Sequence, residues 1–302
     1  MTEARQSSVA VVMSTYNGAA HVVEQLESIL SQDYPNVRVV VRDDGSKDDT
    51  VSVLEPYERE GAITLVRGEN KGVVGSFIEL IQLVADQVDY VSLCAQDDVW
   101  HPDKVSRAVE VLEARDQTLP QLYCSEYVFC DADMHPTGRS RLNVRGVGFA
   151  TMLYENRVSG NTTVINRTLA RLVAQAGPEG VYCHDWWLGL VACALGELTF
   201  DDFASLDYRR TGQNVSPTGS GGLSLLRYRL RTFFEKGQLS FVTTQLRQLR
   251  KDYGPQMNPD RLRLLGRFLD GGRLSKAFSP IRLRQLTRDE LALRVLFLCG
   301  LL

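Results

Sequence analysis

Hydrophobic positions in the first ninety residues alternate between two periods. Val9 to Met13 is an unbroken apolar run, as a strand buried on both faces requires, and Val22, Val23, Leu26, Ile29 and Leu30 then recur at the spacing of one helix face. Val37 to Val41 and Ile63 to Val66 read as further strands, Val74 to Val84 as a helix and Val88 to Leu93 as another strand. This βαβ alternation predicts an α/β fold of Rossmann-like type, a mostly parallel central sheet with helices on both faces. Ligands of such sheets bind beyond the carboxyl ends of the strands. Ser14 to Gly18, Asp43 to Ser46 and Ala95 to Trp100 therefore fall along one rim.

The middle of the chain adds strands at Gln121 to Phe129, Thr162 to Ile165 and Leu198 to Phe203, with helices at Lys104 to Arg115 and Asp185 to Leu195. These extend one globule to residue 215. Ser216 to Gly222 is Ser/Gly-rich with one Pro and reads as a linker. Residues 223–302 follow as three or four amphipathic helices, broken at Gly254-Pro255, Gly271-Gly272 and Ser279-Pro280.

With 302 residues, 44% hydrophobic and 24% charged, the chain can build a sizeable core. Met1 to Ser8 lacks the apolar centre of a signal peptide. Leu291 to Leu302, the most apolar stretch, is shorter than the ~20 residues of a membrane span and carries Arg294. Six cysteines without CxxC spacing, several inside apolar runs, read as free thiols of a reducing compartment, and four His without a His/Cys cluster argue against zinc. The net charge of -3 conceals an asymmetry: sixteen Lys and Arg oppose six Asp and Glu from Leu223 onward, against eighteen and thirty-one before it. A basic tail of this kind suits an acidic surface.

Four polar stretches carry candidate chemistry, and each has a plainer reading beside the functional one. Ser14-Thr15-Tyr16-Asn17-Gly18 can grip a base and ribose, or simply cap a helix. Arg42-Asp43-Asp44-Gly45-Ser46 offers a carboxylate to a base N–H or to ribose hydroxyls, or forms a polar turn. Ala95-Gln96-Asp97-Asp98-Val99-Trp100 sets two repelling carboxylates at a strand end, where they hold a divalent cation with diphosphate oxygens or make a solvated turn. His184-Asp185-Trp186-Trp187 opens an apolar helix. Asp185 is there a general base beside a sugar packed on indole, or a helix cap in front of core tryptophans.

Taken in order, these stretches resemble glycosyltransferase family 2, the inverting enzymes of GT-A fold, over Val9 to Val215. The branch that is most similar is the bacterial rhamnosyltransferases. Gln96-Asp97-Asp98-Val99-Trp100-His101-Pro102-Asp103-Lys104, Ser159 to Arg167 and His184 to Trp187 carry that likeness. The resemblance implies nucleotide-sugar contacts from Thr15, Tyr16, Asn17, Asp44, Asn70, Gly72, Gln96 and Asp97. It implies a divalent metal (Mg²⁺ or Mn²⁺) on Asp97 and Asp98, with Asp185 as catalytic base. His184, Trp186, Trp187, Arg209 and Arg210 are acceptor or diphosphate candidates.

Two positions depart from the pattern: Ala95 replaces the first acid of DxD, and Thr211 replaces a His in Tyr208 to Asn214. The resemblance further implies a dTDP-L-rhamnose donor, with another dTDP- or UDP-sugar behind it, and a surface-glycan or lipid-linked acceptor on the cytoplasmic side. The competing class is a degenerate module that binds a nucleotide sugar without turnover. A nucleotidyltransferase ranks last, because Ser14 to Gly18 is not a triphosphate loop. The basic helices after Leu223 serve as a peripheral membrane contact, a homodimer contact or packing, and no motif points to nucleic acid.

Overall fold

The computed structural model describes residues 6–210 and 238–302, so Thr211, Asn214 and the 216–222 linker lie outside the described residues. Nine strands form one sheet: β1 (Val9–Thr15), β2 (Val37–Asp43), β3 (Ile63–Arg67), β4 (Tyr90–Cys94), β5 (Val99–Trp100), β6 (Gln121–Cys130), β7 (Pro136–Arg139), β8 (Val164–Asn166) and β9 (Glu197–Arg209). Their order is β3-β2-β1-β4-β8-β6-β9-β5, with β7 hairpinned onto β6. Strands β1 to β4 are mutually parallel. β8 runs against both β4 and β6, which leaves β6 and β9 pointing the same way as β1. Only β5, β7 and β8 are reversed, so the sheet is mostly parallel, as the alternating pattern predicts.

The period-2 alternation in β1 decides what each face meets. Ala10 and Val12 pack toward Phe77, Ile78 and Ile81 of α3 (Gly72–Val84), and Val9, Val11 and Met13 toward Val22, Leu26 and Ile29 of α1 (Val22–Leu30). Helices therefore cover both faces and β1 is wholly buried, the condition under which a parallel sheet is stable. Two further helices are α2 (Thr50–Arg59), polar and containing Pro56, and α6 (Arg167–Ala176), whose Leu169, Leu172, Val173 and Ala176 recur at helical spacing. α4 (Lys104–Glu113), the short α5 (Phe149–Met152) and α7 (His184–Leu195) complete this part. The expected strand at Thr162 to Ile165 is instead a 3₁₀ turn (Gly160–Thr162) followed by β8. β9 runs past Phe203 to Arg209.

The tail forms α8 (Gln238–Tyr253), α9 (Pro259–Asp270), α10 (Arg273–Ala277) and α11 (Thr287–Cys299), with the breaks where Gly and Pro mark them. Asn258 caps α9 through its side-chain oxygen, and Pro259 occupies the first helical position, whose N–H has no helical partner in any case. Leu246, Leu249, Tyr253, Leu265, Phe268, Leu293 and Phe297 share one apolar core with Tyr154, Trp187 and Leu190. The Tyr154 ring lies 6.0 Å from Phe268 and 5.2 Å from Phe297, both edge-on, which favours aromatic contacts. Among the described residues no helix is long and apolar enough to cross a membrane.

Because Phe268 is 1% exposed within that shared core, Phe268→Ala should remove about 3–5 kcal/mol of stability. Trp187, 5.9 Å from Tyr253 of α8, reports the junction between the two parts. Urea unfolding followed by tryptophan fluorescence, to which Trp100 and Trp186 also contribute, and by far-UV circular dichroism should shift to lower denaturant together. Two separated transitions would instead mean that the tail melts alone.

Candidate active site

The parallel strands β1, β2 and β4 end together, and each end carries polar residues held by the next. Asp43 accepts hydrogen bonds from Thr15 Oγ1 (3.1 Å), Gly45 N (3.1 Å) and Ser46 N (2.8 Å), which closes the turn after β2. Asn17 takes a left-handed φ of +50°, a conformation tolerated by Asn through local hydrogen bonding. Its N–H donates to Ser46 Oγ (2.9 Å), and its Oδ1 accepts from Lys47 N (2.8 Å). Gln96 ties the β4 end to the β1 end. Its Oε1 accepts from Tyr16 N at 2.8 Å, and its Nε2 donates to Tyr16 O at 3.2 Å.

Asp44 is 3% exposed and holds the neighbouring loop. Oδ1 accepts from Arg42 Nη1 and from Lys71 N (2.8 Å), while Oδ2 accepts from Gly72 N (2.9 Å). Arg42 itself is buried and reaches Glu69 O (3.0 Å) and Glu79 (3.1 Å). A buried ion pair contributes little net stability but costs heavily when one partner is removed. Arg42 and Asp44 thus fix the position of the loop carrying Asn70 and Gly72. A single Arg in a β-branched run was the sequence signal for it.

Asp97 and Asp98 follow β4 and differ sharply in environment. Asp98 is 1% exposed, and burial, then the charge of Asp97, push its carboxyl up to about 8. Its Oδ2 accepts from Asn161 Nδ2 at 2.7 Å, whereas its Oδ1 is buried without a hydrogen-bond partner among the described residues. Burial also raises Asp97, opposed by His21 and Arg209. Behind the pair lies Lys104, also 1% exposed, with Nζ 3.8 Å from the Trp100 ring centre and burial lowering it to about 7. A carboxylate pair with an orphaned buried oxygen fits a hard divalent cation, which takes oxygen ligands. A separate acidic group, Asp131, Asp133 and His135, sits on the exposed β6–β7 turn.

Asp185 lies in the first turn of α7. Its Oδ1 accepts from Trp186 N (2.6 Å), Asn156 Nδ2 (2.9 Å) and Cys183 Sγ (2.9 Å). Its Oδ2 accepts from Gly160 N at 3.2 Å. An added Cβ on Gly160 would lie 2.8 Å from His184 Nε2 and 3.6 Å from Asp185 Cβ, so the close approach requires glycine. Ser159 to Asn161 thereby bridges the two acidic centres, Gly160 on Asp185 and Asn161 on Asp98. Asn156, Gly160 and Asn161 were not distinguishable as site residues by spacing alone.

Several expected ligand contacts take other roles. Trp187 is wholly buried and Trp186 is 8% exposed, its Nε1 donating to Met152 O (2.6 Å), so both belong to the core rather than to a sugar-facing surface. His184 is buried and stacked on Phe77 with ring centres 4.3 Å apart, and burial lowers its pKa, leaving a neutral ring beneath Gly160. Arg209 is 4% exposed, and its guanidinium spans Glu24, Asp97 O (3.1 Å) and Ala132 O (2.7 Å). It braces the rim instead of offering an open fork to a diphosphate. Arg210 lies with its guanidinium 3.6 Å from the Phe129 ring centre. Tyr16, Asn17, Asn70 and Gly72 remain on the exposed side of the rim, and the amide of Gln96 is engaged by Tyr16.

Comparison with known proteins matches this arrangement. Residues 10–155 fit the family model described as glycosyl transferase family 2. A dTDP-rhamnosyl transferase, RfbG of Shigella flexneri, is 33% identical over 189 residues, 58% of this chain and 63% of that protein. An uncharacterized glycosyltransferase, RP339 of Rickettsia prowazekii (strain Madrid E), is 26% identical over 64% of this chain and 61% of its own length. The matches thus span less than two thirds of these curated relatives. Among solved structures, S. aureus TarS 1-349 in complex with UDP aligns with a TM-score of 0.51 at 16% identity, over 86% of each chain. A mannosyltransferase, PcManGT from Pyrobaculum calidifontis in complex with GDP-Man and Mn²⁺, gives 0.51 at 15% identity, over 98% of this chain and 86% of that one. These likenesses are of fold, the GT-A arrangement. With the parallel sheet, the acidic rim and the family match on the same residues, this chain carries a glycosyl transferase family 2 domain across residues 10–155.

Proposed function

We propose that the protein transfers a sugar, with inversion, from a nucleoside-diphosphate donor to a hydroxyl of a glycan acceptor. The observation that carries this reading is the Ser159–Asn161 bridge, which sets a lone carboxylate, Asp185, beside the Asp97–Asp98 pair on one rim. Three donors fix Asp185 Oδ1, while among the described residues Oδ2 takes only the 3.2 Å contact from Gly160 N. Oδ2 is therefore the oxygen free to accept a proton as the acceptor hydroxyl attacks the anomeric carbon. No enzyme nucleophile is needed, so configuration inverts in a single displacement.

The donor's nucleotide lies along Thr15 to Asn17 and the Asn70–Gly72 loop, and its diphosphate lies toward Asp97. Asp97 and Asp98 would hold a divalent cation. Such an ion supplies charge neutralisation to a diphosphate leaving group. Arg210, which makes no ion pair among the described residues, is the nearer of the two arginines to an available cation. The Shigella flexneri relative is named for dTDP-rhamnose, which supports that donor ahead of another dTDP- or UDP-sugar. The neighbours bound to UDP and to GDP-Man with Mn²⁺ support a nucleotide sugar and a metal in general. A second reading, binding without turnover, rests on Ala95 at the first position of the acidic motif.

Asp185→Asn should lower transfer from dTDP-rhamnose by about 10²–10⁴-fold while leaving donor affinity within a few-fold, measured by product formation and by calorimetry. Wild-type turnover in that variant would remove the base assignment, and a wild-type protein that binds donor without transfer would establish the second reading.

Cation binding should depend on pH in one direction. The raised carboxyl of Asp98 holds a proton in the cation-free protein up to about pH 8, and that proton must leave before a cation binds. Mn²⁺ affinity should rise from pH 6 to 8, by up to about tenfold per unit for one displaced proton. Asp98→Asn should flatten the dependence. Titrations of Mn²⁺ into both proteins at three pH values would check it, and a pH-independent wild type would count against the site.

A further inference from the structure

We propose that the outer face of α11 docks on an anionic lipid surface. Arg288, Leu291, Ala292, Val295, Leu298 and Cys299 recur at helical spacing on the exposed side, with Leu291, Val295 and Leu298 exposed by 62%, 56% and 42%. The ion pair in the middle of the same helix points inward. Glu290 pairs with Arg294 and accepts hydrogen bonds from Leu283 N (2.9 Å) and Arg284 N (2.7 Å). Arg294 donates to Lys276 O (2.7 Å), while Leu293 and Phe297 enter the core.

The usual surface helix turns charge outward and apolar residues inward. α11 places its ion pair against the protein and leaves an apolar stripe in water, an arrangement that marks a contact surface. Leu274 and Phe278, on and just after the adjoining α10, are exposed as well.

Charge at the two ends selects the occupant. Arg288 begins the stripe with its side chain 73% exposed and its Nε 3.4 Å from Asp289 Oδ1, whose side chain is only 16% exposed, so the guanidinium is the group of that pair that faces outward. At the other end Gly300 takes a left-handed φ of +69°, and a Cβ there would collide with the guanidinium of Arg273. The apolar stripe therefore runs between two arginines, on a described tail segment with twelve Lys and Arg against five Asp and Glu.

A second copy packed on this face would set like charges together in either orientation. Parallel helices bring Arg288 to Arg288, and antiparallel helices bring Arg288 to Arg273. Anionic headgroups neutralise both ends while the stripe enters the acyl boundary. At 13 residues α11 lies along such a surface rather than across it. The docking does not depend on the sugar-transfer reading.

The test is co-sedimentation of the full chain with vesicles of phosphatidylethanolamine and phosphatidylglycerol, and with vesicles of phosphatidylcholine alone. Binding to the anionic vesicles should exceed that to phosphatidylcholine by about tenfold or more and weaken with added salt. Leu291→Glu with Val295→Glu, at exposed positions that leave the core intact, should abolish it. Arg273→Glu with Arg288→Glu should remove the preference for anionic lipid. Equal binding by the Leu291→Glu, Val295→Glu protein, or no vesicle binding by wild type, overturns the proposal. So does a wild-type dimer in light scattering that Leu291→Glu dissociates, since the occupant is then a second copy.

Discussion

Burying Asp98 at the end of a strand that is itself buried throughout creates the constraint around which the rim is organised. A carboxylate removed from water is strongly disfavoured in its charged form, more so with Asp97 adjacent, so the surroundings must compensate. Asn161 supplies one donor, Lys104 approaches from behind, and Arg209 holds the backbone at Asp97. The remaining oxygen, Oδ1, has no hydrogen-bond partner among the described residues. Stability alone would not retain so expensive an arrangement, because an apolar pair would fill the same space at no electrostatic cost. The proposed divalent cation on the two carboxylates would offset that cost.

The same economy of purpose separates residues that hold the rim from those that face it. Arg42 and Arg209, both buried cations, grip backbone carbonyls and acidic side chains on different elements. Arg209 links β9 to the end of β4, to the β6–β7 turn and to α1 through Glu24. Each is one side chain that ties several elements together at the carboxyl ends of the strands. Asp43, Asp44 and Gln96 act similarly through saturated hydrogen bonds. Tyr16, Asn17 and Asn70, anchored through their backbones or by short-range contacts, are left at the surface.

The four parallel strands and α1 and α3 were legible because burial on two faces demands unbroken β-branched runs, and one-sided helices demand an apolar stripe. α6 was not picked out, although Leu169, Leu172, Val173 and Ala176 recur at helical spacing and pack on the core. β5 and β7, of two and four residues, exist only through pairing with β9 and β6, and carry no period of their own. The acids of the site were readable as strand-end and helix-start carboxylates. Their partners Asn156, Gly160 and Asn161 were not, because a hydrogen bond across the fold leaves no spacing in the sequence. Trp186 and Trp187 were misplaced for a related reason. α7 is apolar nearly all round, so an aromatic pair at its start reads the same whether it faces a sugar or the core.

Composition divides the chain near residue 215, but packing does not. α7, which presents Asp185, is held at both ends by the tail. Gln245 of α8 accepts hydrogen bonds from Tyr182 N (2.9 Å) and Cys183 N (3.3 Å), immediately before the helix begins. At the far end Arg261 of α9 donates to Ala194 O (3.2 Å), where a cation also opposes the negative end of the helix dipole. Trp187 meets Tyr253 between these two points. The tail therefore sets the position and tilt of the helix that carries the proposed base.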